Sequence, residues 1–342
     1  MAYKVLYRKY RPQNFNDLYG QDSIKEILKD SIINNKLAHA YCFNGPRGTG
    51  KTSTAKLFAK AINCENAKDG IACGECNSCK NFNENPDIIE IDAASNNGVE
   101  EIRELRDNVK ILPSNSKYKI YIIDEAEKMN PAAQNAILKT IEEPPSYVII
   151  MLLTTNKGAF LPTILSRCIL LNMKPISDKT IRKYLTEYGG ISEETADFCT
   201  GFSMGNLGKA KAAAESEEFT EMRENAMSIL RYLHEIQDYE IAEKVKILKK
   251  WKDSIDDYFD MMLIWFRDIL IDKAIKNEQY LIFQSELTYI RKQSQQLSYE
   301  DINEIIREIG QTAKRIRANV NFDTSLEILH IDIKRRFFKE NR

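Results

Sequence analysis

Proline is absent beyond residue 175. All nine prolines lie between Pro12 and Pro175, and glycine thins out as well, with Gly310 alone after Gly208. Turns and strand punctuation therefore belong to the first part of the chain, and the remainder is left to helix after helix. Net charge is nearly absent too. At a formal -1 the chain is no polycation, so any nucleic acid must be met by a local patch. No apolar run approaches the roughly 18 residues of a membrane span. The opening Met-Ala-Tyr-Lys-Val lacks the apolar stretch of a signal peptide, so a cytoplasmic protein with no membrane partner is expected. Internal repeats and low-complexity tails are missing. With 342 residues, two or three domains are expected.

What is present begins with Gly45-Pro46-Arg47-Gly48-Thr49-Gly50-Lys51-Thr52, which fits G-x-x-x-x-G-K-[ST]. Glycines remove the Cβ atoms that would block a phosphate and allow positive φ. The loop N–H groups then converge on an anion, aided by the positive end of the helix that starts near Lys51. The phosphate-binding set is Gly45 through Lys51 with Pro46, Arg47, Gly48, Thr49 and Gly50 between, followed by Thr52 and Ser53. Lys51 would reach the β- and γ-phosphates of ATP, and the Thr52 hydroxyl would ligate Mg²⁺. The apolar run His39–Asn44 before the loop reads as a buried strand. Ala55, Leu57, Phe58 and Ile62 after it are spaced as on a helix. A Gly-rich turn that happens to carry Lys-Thr lacks that setting.

A second acid-bearing element lies roughly 70 residues further on. Lys119-Ile120-Tyr121-Ile122-Ile123-Asp124-Glu125 reads as a buried parallel strand whose carboxylates sit at its carboxyl end, where α/β sheets place ligands. Asp124 would hold the Mg²⁺ shell and Glu125 would polarise the attacking water; a solvated acidic turn is the alternative. The motif reads D-E-A-E here. A helix over Pro131–Glu143 follows, stopped by Pro144-Pro145, and then a buried strand, Tyr147–Asn156. Thr155, with Asn156 beside it, stands where a hydroxyl or amide would read the γ-phosphate. A plain strand terminus is the alternative there. Asp87–Asp92 alternates charged and apolar residues as a strand, and Asn97-Gly98-Val99-Glu100 turns into a helix that reads by itself as an ordinary capped one.

Cys64, Cys73, Cys76 and Cys79 form C-x8-C-x2-C-x2-C, interrupted by Gly70 and Gly74. Four thiolates at that spacing suit tetrahedral Zn²⁺ in a closed, structural site. Scattered buried thiols, a redox pair and an eroded site are the alternatives, and the crowding of the four in an intracellular chain favours zinc. Cys42, Cys168 and Cys199 stand alone and read as small hydrophobes.

Together these motifs resemble the bacterial DNA polymerase III clamp-loader ATPases. The P-loop followed by a complete cysteine insertion, Leu138-Lys139-Thr140-Ile141-Glu142-Glu143-Pro144-Pro145, and Ser166-Arg167-Cys168 are similar to the gamma/tau subunit. The resemblance implies an α/β AAA+ P-loop NTPase with a parallel sheet and zinc insertion, a small helical lid and a C-terminal all-α collar domain. It also implies that the basic arm Val5–Pro12 borders the adenine, with Tyr10, Arg11 and Pro12 near the base; an arm simply packed on the core is the other reading. Arg167 would act as an arginine finger in trans, on the γ-phosphate held by a neighbouring subunit.

Beyond Pro175 the likeness changes. Phe202–Ala210 occupies the lid, and Gly208 stands where gamma/tau places a sensor 2 arginine, with Lys209 next to it. That segment, Trp265–Asp268 and Asn319-Val320-Asn321-Phe322 look like delta-prime. Ile255, Tyr258, Phe259, Met262, Trp265, Phe266 and Ile269 recur at i+3/i+4 spacing, as do Ile302, Ile305, Ile309, Ala313 and Ile316, stripes that normally form a core. The expected division is an AAA+ domain over 1–175 with the zinc module at 64–79, a lid over 176–215 and a collar over 216–342. The resemblance implies ATP, Mg²⁺ and Zn²⁺ as cofactors. As partners it implies the other clamp-loader subunits in a hetero-oligomeric ring, the sliding clamp, and primed DNA met through its backbone, for which the helix start at Asn97–Glu100 could meet a phosphate or be an ordinary capped helix. Two functions remain open at this point: an ATP-hydrolysing subunit, favoured by Lys51, Asp124 and Glu125, and a non-hydrolysing ring subunit that binds ATP and zinc structurally, favoured by Gly208.

Overall fold

In the computed structural model, Pro12, residues 14–94 and residues 108–338 are described. They form two compact units. One runs to Ile181 and takes in Gly205–Gly208; the other holds Arg182–Met204 and the chain from Lys209 onward.

The first unit alternates α1 (Asp22–Ile33), β1 (Ala40–Asn44), α2 (Lys51–Ile62), the short α3 (Asn77–Lys80), β2 (Ile88–Asp92), β3 (Lys119–Asp124), α4 (Pro131–Glu142), β4 (Val148–Thr154), the short α5 (Pro162–Leu165) and β5 (Ile169–Asn172). The strands make one five-stranded sheet in the order β2-β3-β4-β1-β5. Every pairing is parallel, with Ala40 opposite Ile150 and Ile88 opposite Ile120. This is the strand order of an AAA+ P-loop fold.

The central strands are apolar on both sides because both faces are covered. Side chains alternate across a pleated strand, so each apolar run is dealt out to two cores. Tyr41, Phe43, Ile120, Ile122, Ile149, Met151 and Leu153 pack on one face with Leu28, Phe58 and Ala55. Ala40, Cys42, Tyr121, Ile123, Val148, Ile150 and Leu152 pack on the other with Ile137 and Ile141 of α4. Each large side chain so buried contributes about 1.5–3 kcal/mol. Asn130 caps α4 by accepting the Ala133 N–H, and Pro131 follows at the first helical position.

The second unit is helical: α6 (Asp178–Lys183), α7 (Glu193–Ser203), α8 (Leu207–Glu215), α9 (Glu217–Leu230), α10 (Asp238–Leu248), α11 (Ile255–Ile275), α12 (Leu287–Gln296), α13 (Tyr299–Arg317) and α14 (Phe322–Arg336), the first and third of these starting in the other unit. Helix α11 is the hub, packed against α9, α12 and α13, while α14 lies on α10 and α13. The stripe on α11 is core along its length: Tyr258, Phe259, Met262, Trp265, Phe266 and Ile269 are all buried. Buried polar atoms there find specific partners, as they must. The Trp265 indole donates to Gln293 Oε1 at 2.9 Å, and Gln293 Nε2 donates to the Leu230 carbonyl at 2.7 Å. Helix α13 starts with a capping box of Ser298 and Asp301, and Asn321 caps α14. No helix among the described residues is long and apolar enough to cross a membrane.

Candidate nucleotide site and cysteine cluster

The candidate site is built at the carboxyl ends of β1, β3 and β4, which lie side by side in the sheet. β1 ends at Asn44, and the Gly45 N–H donates to the Thr154 carbonyl at 3.1 Å, so the loop leaves the sheet tied to β4. Gly45 has no room for a side chain, since a Cβ would sit 2.5 Å from the Met173 carbonyl oxygen. Gly50 closes the loop in the left-handed region at φ 88° and starts α2 by accepting the Thr54 N–H.

Lys51 is buried, and its ammonium donates to the carbonyls of Gly45 at 2.7 Å and Pro46 at 2.9 Å. Burial lowers its pKa, the carboxylates of Asp124, Glu127 and Glu125 counteract that, and Arg47 adds to the lowering. Thr52 donates its hydroxyl to Asp124 Oδ2 at 2.8 Å, bringing together the two residues expected to share Mg²⁺ across 72 positions of chain. The other Asp124 oxygen accepts the Glu125 N–H at 2.8 Å. Glu125 has a left-handed backbone, φ 46°, which turns the chain sharply off β3. Its carboxylate lies 2.6 Å from the Arg47 guanidinium, so two residues of the expected set pair with each other.

Thr155 follows the end of β4, and its hydroxyl donates to Glu127 Oε1 at 2.6 Å. Glu127 has its pKa lowered: burial raises it, but hydrogen bonds led by the Thr155 hydroxyl outweigh that. Asn156 turns its side chain to the Gly158 N–H instead. Lys51, Thr52, Arg47, Asp124 and Glu125 thus form one constellation, and Thr155 joins it through Glu127.

The four cysteines converge on one point. Their Sγ atoms all lie within 4.8 Å of one another, with Cys64 and Cys76 at 3.9 Å. Four sulfurs around a tetrahedral Zn²⁺ at about 2.3 Å would be about 3.8 Å apart, so the donor set fits the ion. Backbone N–H groups already point at two of the sulfurs, Cys73 N–H to Cys64 Sγ at 3.2 Å and Cys76 N–H to Cys73 Sγ at 3.3 Å. The Cys76 N–H, followed by the Glu75 N–H, brings the Cys73 thiol down to about 6, whereas burial pushes Cys64 and Cys79 up. The module is held against α1 at Gly70, where a Cβ would meet the Lys29 backbone at 2.7 Å.

Residues 20–177 match the family described as DNA polymerase III, delta subunit. The chain is 51% identical over 183 residues to DNA polymerase III subunit tau of Bacillus subtilis (strain 168), covering 53% of this chain and 32% of that protein. It is 43% identical over 187 residues to subunit tau of Escherichia coli (strain K12), covering 54% and 29%. The chain is gamma/tau-like over about half its length. The matched region spans about a third of those relatives' own length. Among solved structures, a DNA polymerase III gamma subunit-related protein from Thermotoga maritima reaches a TM-score of 0.45 at 18% identity, covering 93% of this chain and 100% of that one, too loose a likeness to carry an argument.

In the gamma/tau-like half, Arg167 stands apart from the loop constellation in its contacts. Its guanidinium pairs with Glu142 at 2.9 Å and donates to the Thr163 carbonyl at 2.9 Å, and the side chain is 40% exposed. Of the adenine set, Pro12 is partly buried, while Tyr10 and Arg11 lie outside the described residues, as does the Asn97–Glu100 helix start. Ser53 lies in the first turn of α2 and is partly buried.

Two participants and one pairing are not legible as such in the sequence. Glu127 holds Thr155; it is visible as the last letter of D-E-A-E, but nothing in the spacing assigns it a partner. Arg47 holds Glu125, although at a variable position of the P-loop pattern. Asn206 lies against Gly48, where a Cβ would be 2.2 Å from Asn206 Nδ2. Contacts between positions so far apart in the chain leave no local periodic trace.

Proposed function

We propose that the chain is an ATP-binding subunit of the DNA polymerase III clamp loader, acting in the cytoplasm to load a sliding clamp onto primed DNA. The observation that carries this reading is the meeting of Thr52 and Asp124 at 2.8 Å beside Lys51, at the carboxyl edge of a parallel sheet, in the half that is gamma/tau-like. Lys51 and the loop N–H groups would hold the ATP phosphates, with Thr52 and Asp124 on Mg²⁺. Glu125 would accept the proton of the attacking water once separated from Arg47. The four cysteines would hold Zn²⁺ with no open position, as a structural clip. Other loader subunits, the clamp and primed DNA are the partners this role requires.

A second reading has its own support. Gly208 offers no side chain at the lid, as expected for a delta-prime-type ring subunit that binds ATP without turning it over and lends Arg167 to a neighbour, and Arg47 occupying the Glu125 carboxylate supports the same reading. The two readings share the finger and differ in this chain's own turnover.

The test reads turnover site by site in the assembled loader. Arg167→Ala should leave this chain's own ATP affinity unchanged and cut hydrolysis at the neighbouring site by about 10³-fold. Glu125→Gln should abolish this chain's turnover if it is a hydrolysing subunit and change nothing if it is a scaffold. Weakened ATP binding by the isolated Arg167→Ala chain would place the arginine in its own site and end the trans reading.

A further inference from the structure

Residues 205–208 belong to the nucleotide-binding unit although the chain on both sides of them is part of the helical one. The segment is fastened there by close backbone contacts. Gly205 takes φ 86°, a Cβ on it would strike Pro175 Cβ at 2.5 Å, and its carbonyl accepts the Ile176 N–H at 3.0 Å. The stretch 173–176 to which it is fastened is also what crowds Gly45, through the Met173 carbonyl. The segment is thus tied to the same backbone that shapes the start of the P-loop.

Its composition is Gly205-Asn206-Leu207-Gly208, so Asn206 supplies its one polar side chain. That carboxamide lies over Gly48. A Cβ on Gly48 would fall 2.2 Å from Nδ2, 2.5 Å from Cγ and 2.8 Å from Cβ of Asn206, and Gly48 itself has φ 81°. The asparagine therefore occupies the space that a side chain of the P-loop would fill, with its NH₂ toward the loop. An NH₂ group is a donor without net charge, suited to an anion or to the carbonyls that frame it.

We propose that Asn206 is a nucleotide-positioning residue, seating the polyphosphate by holding the P-loop at Gly48 and presenting its amide donor there. The proposal rests on the reading of Gly45–Thr52 as an ATP site. It accounts for the glycine at position 48, and it gives the lid segment a polar contact that Gly208 cannot make. A carboxylate of the same shape would reverse the interaction, because it removes the donor and sets a negative charge beside the phosphates.

The experiment measures equilibrium binding of MgATP, MgADP and adenosine to the full chain and to Asn206→Ala, Asn206→Asp and Asn206→Ser, with the melting temperature of each unliganded protein. The expected result is a loss of roughly tenfold in MgATP affinity for the alanine variant and a larger loss for aspartate. The aspartate loss should grow from adenosine to ADP to ATP and shrink with salt, and serine, which keeps a donor, should recover part of the binding. Unchanged MgATP affinity in the alanine and aspartate variants overturns the proposal. So does a loss equal for adenosine and ATP that follows the melting temperature, since that is a folding effect alone. If the parent chain itself fails to bind MgATP, or Lys51→Ala binds as well as the parent, the P-loop reading fails first and the proposal with it.

Discussion

Asp268 sits fully buried on α11, and its carboxylate does the work of a loop's missing backbone partners. It accepts the N–H groups of Ile282 and Phe283 at 2.8 Å each and pairs with the Arg267 guanidinium at 2.6 Å. Burial leaves its pKa raised against the opposing pull of the two N–H groups and Arg267. Removing the carboxylate leaves two buried donors unsatisfied, so Asp268→Ala should destabilise the chain by about 2–4 kcal/mol. Urea denaturation checks this, and a change below about 0.5 kcal/mol, the range of an ordinary surface substitution, would contradict it. This residue shows how sequence reading stops short at this scale. Asp268 stands in an amphipathic stripe and looks like a polar interruption, because its partners come from a loop 14 residues away. The P-loop residues were legible for the opposite reason. Their partners are phosphate and backbone, so the motif carries its own context, whereas Arg47 with Glu125 and Glu127 with Thr155 are tertiary pairings.

At the scale of elements, the strands were the easiest to read. Ile120–Ile123 and Val148–Leu153 are apolar without interruption because the sheet is covered on both faces, and their lengths are too short for helices. Prolines set the ends: Asn130-Pro131 starts α4, and Pro144-Pro145 follows its last turn. The cysteine cluster was legible from spacing alone, since four cysteines at C-x8-C-x2-C-x2-C have few other uses than to meet at one point. What spacing does not give is its seat on α1 through Gly70. The module should carry one zinc per chain, and Cys76→Ser should release it, loosening the segment from Cys64 to Cys79 while MgATP binding persists. Elemental analysis and limited proteolysis would show this. Protein purified without chelator that contains no zinc would contradict it.

At the scale of the whole molecule, the loss of proline after Pro175 and the thinning of glycine after Gly208 announced an α/β part followed by a helical part, and among the described residues every strand lies before Met173. The return of Gly205–Gly208 to the first unit was not announced, because four residues carry no periodicity. The helical unit also gives the protein a pH dependence. His330 of α14 is fully buried and faces α11, its Nε2 2.6 Å from the Tyr258 hydroxyl and its Nδ1 2.6 Å from the Leu326 carbonyl. Nδ1 must donate to that carbonyl, so Nε2 accepts from the tyrosine and the ring is neutral. Burial pushes its pKa down to about 4. The unfolded chain, with an ordinary histidine near 6.5, then binds the proton more readily than the folded one. Stability from this group is complete above about pH 6.5 and is lost as pH falls from there toward 4, at up to about 1.4 kcal/mol per unit. Denaturation midpoints between pH 7.5 and 5 should fall for the parent chain and flatten in His330→Phe; parallel slopes would contradict the assignment.

The central claim is that Gly45–Thr52 with Asp124 forms a nucleotide site, and calorimetric titration of the purified full chain with MgATP tests it most directly. Saturable binding with one site per chain is the expected result. Lys51→Ala should abolish it, because the phosphates lose the loop's ammonium, and Glu125→Gln should preserve it, because the phosphate and Mg²⁺ contacts remain. Absence of MgATP binding by the parent chain, or undiminished affinity in Lys51→Ala, would contradict the account.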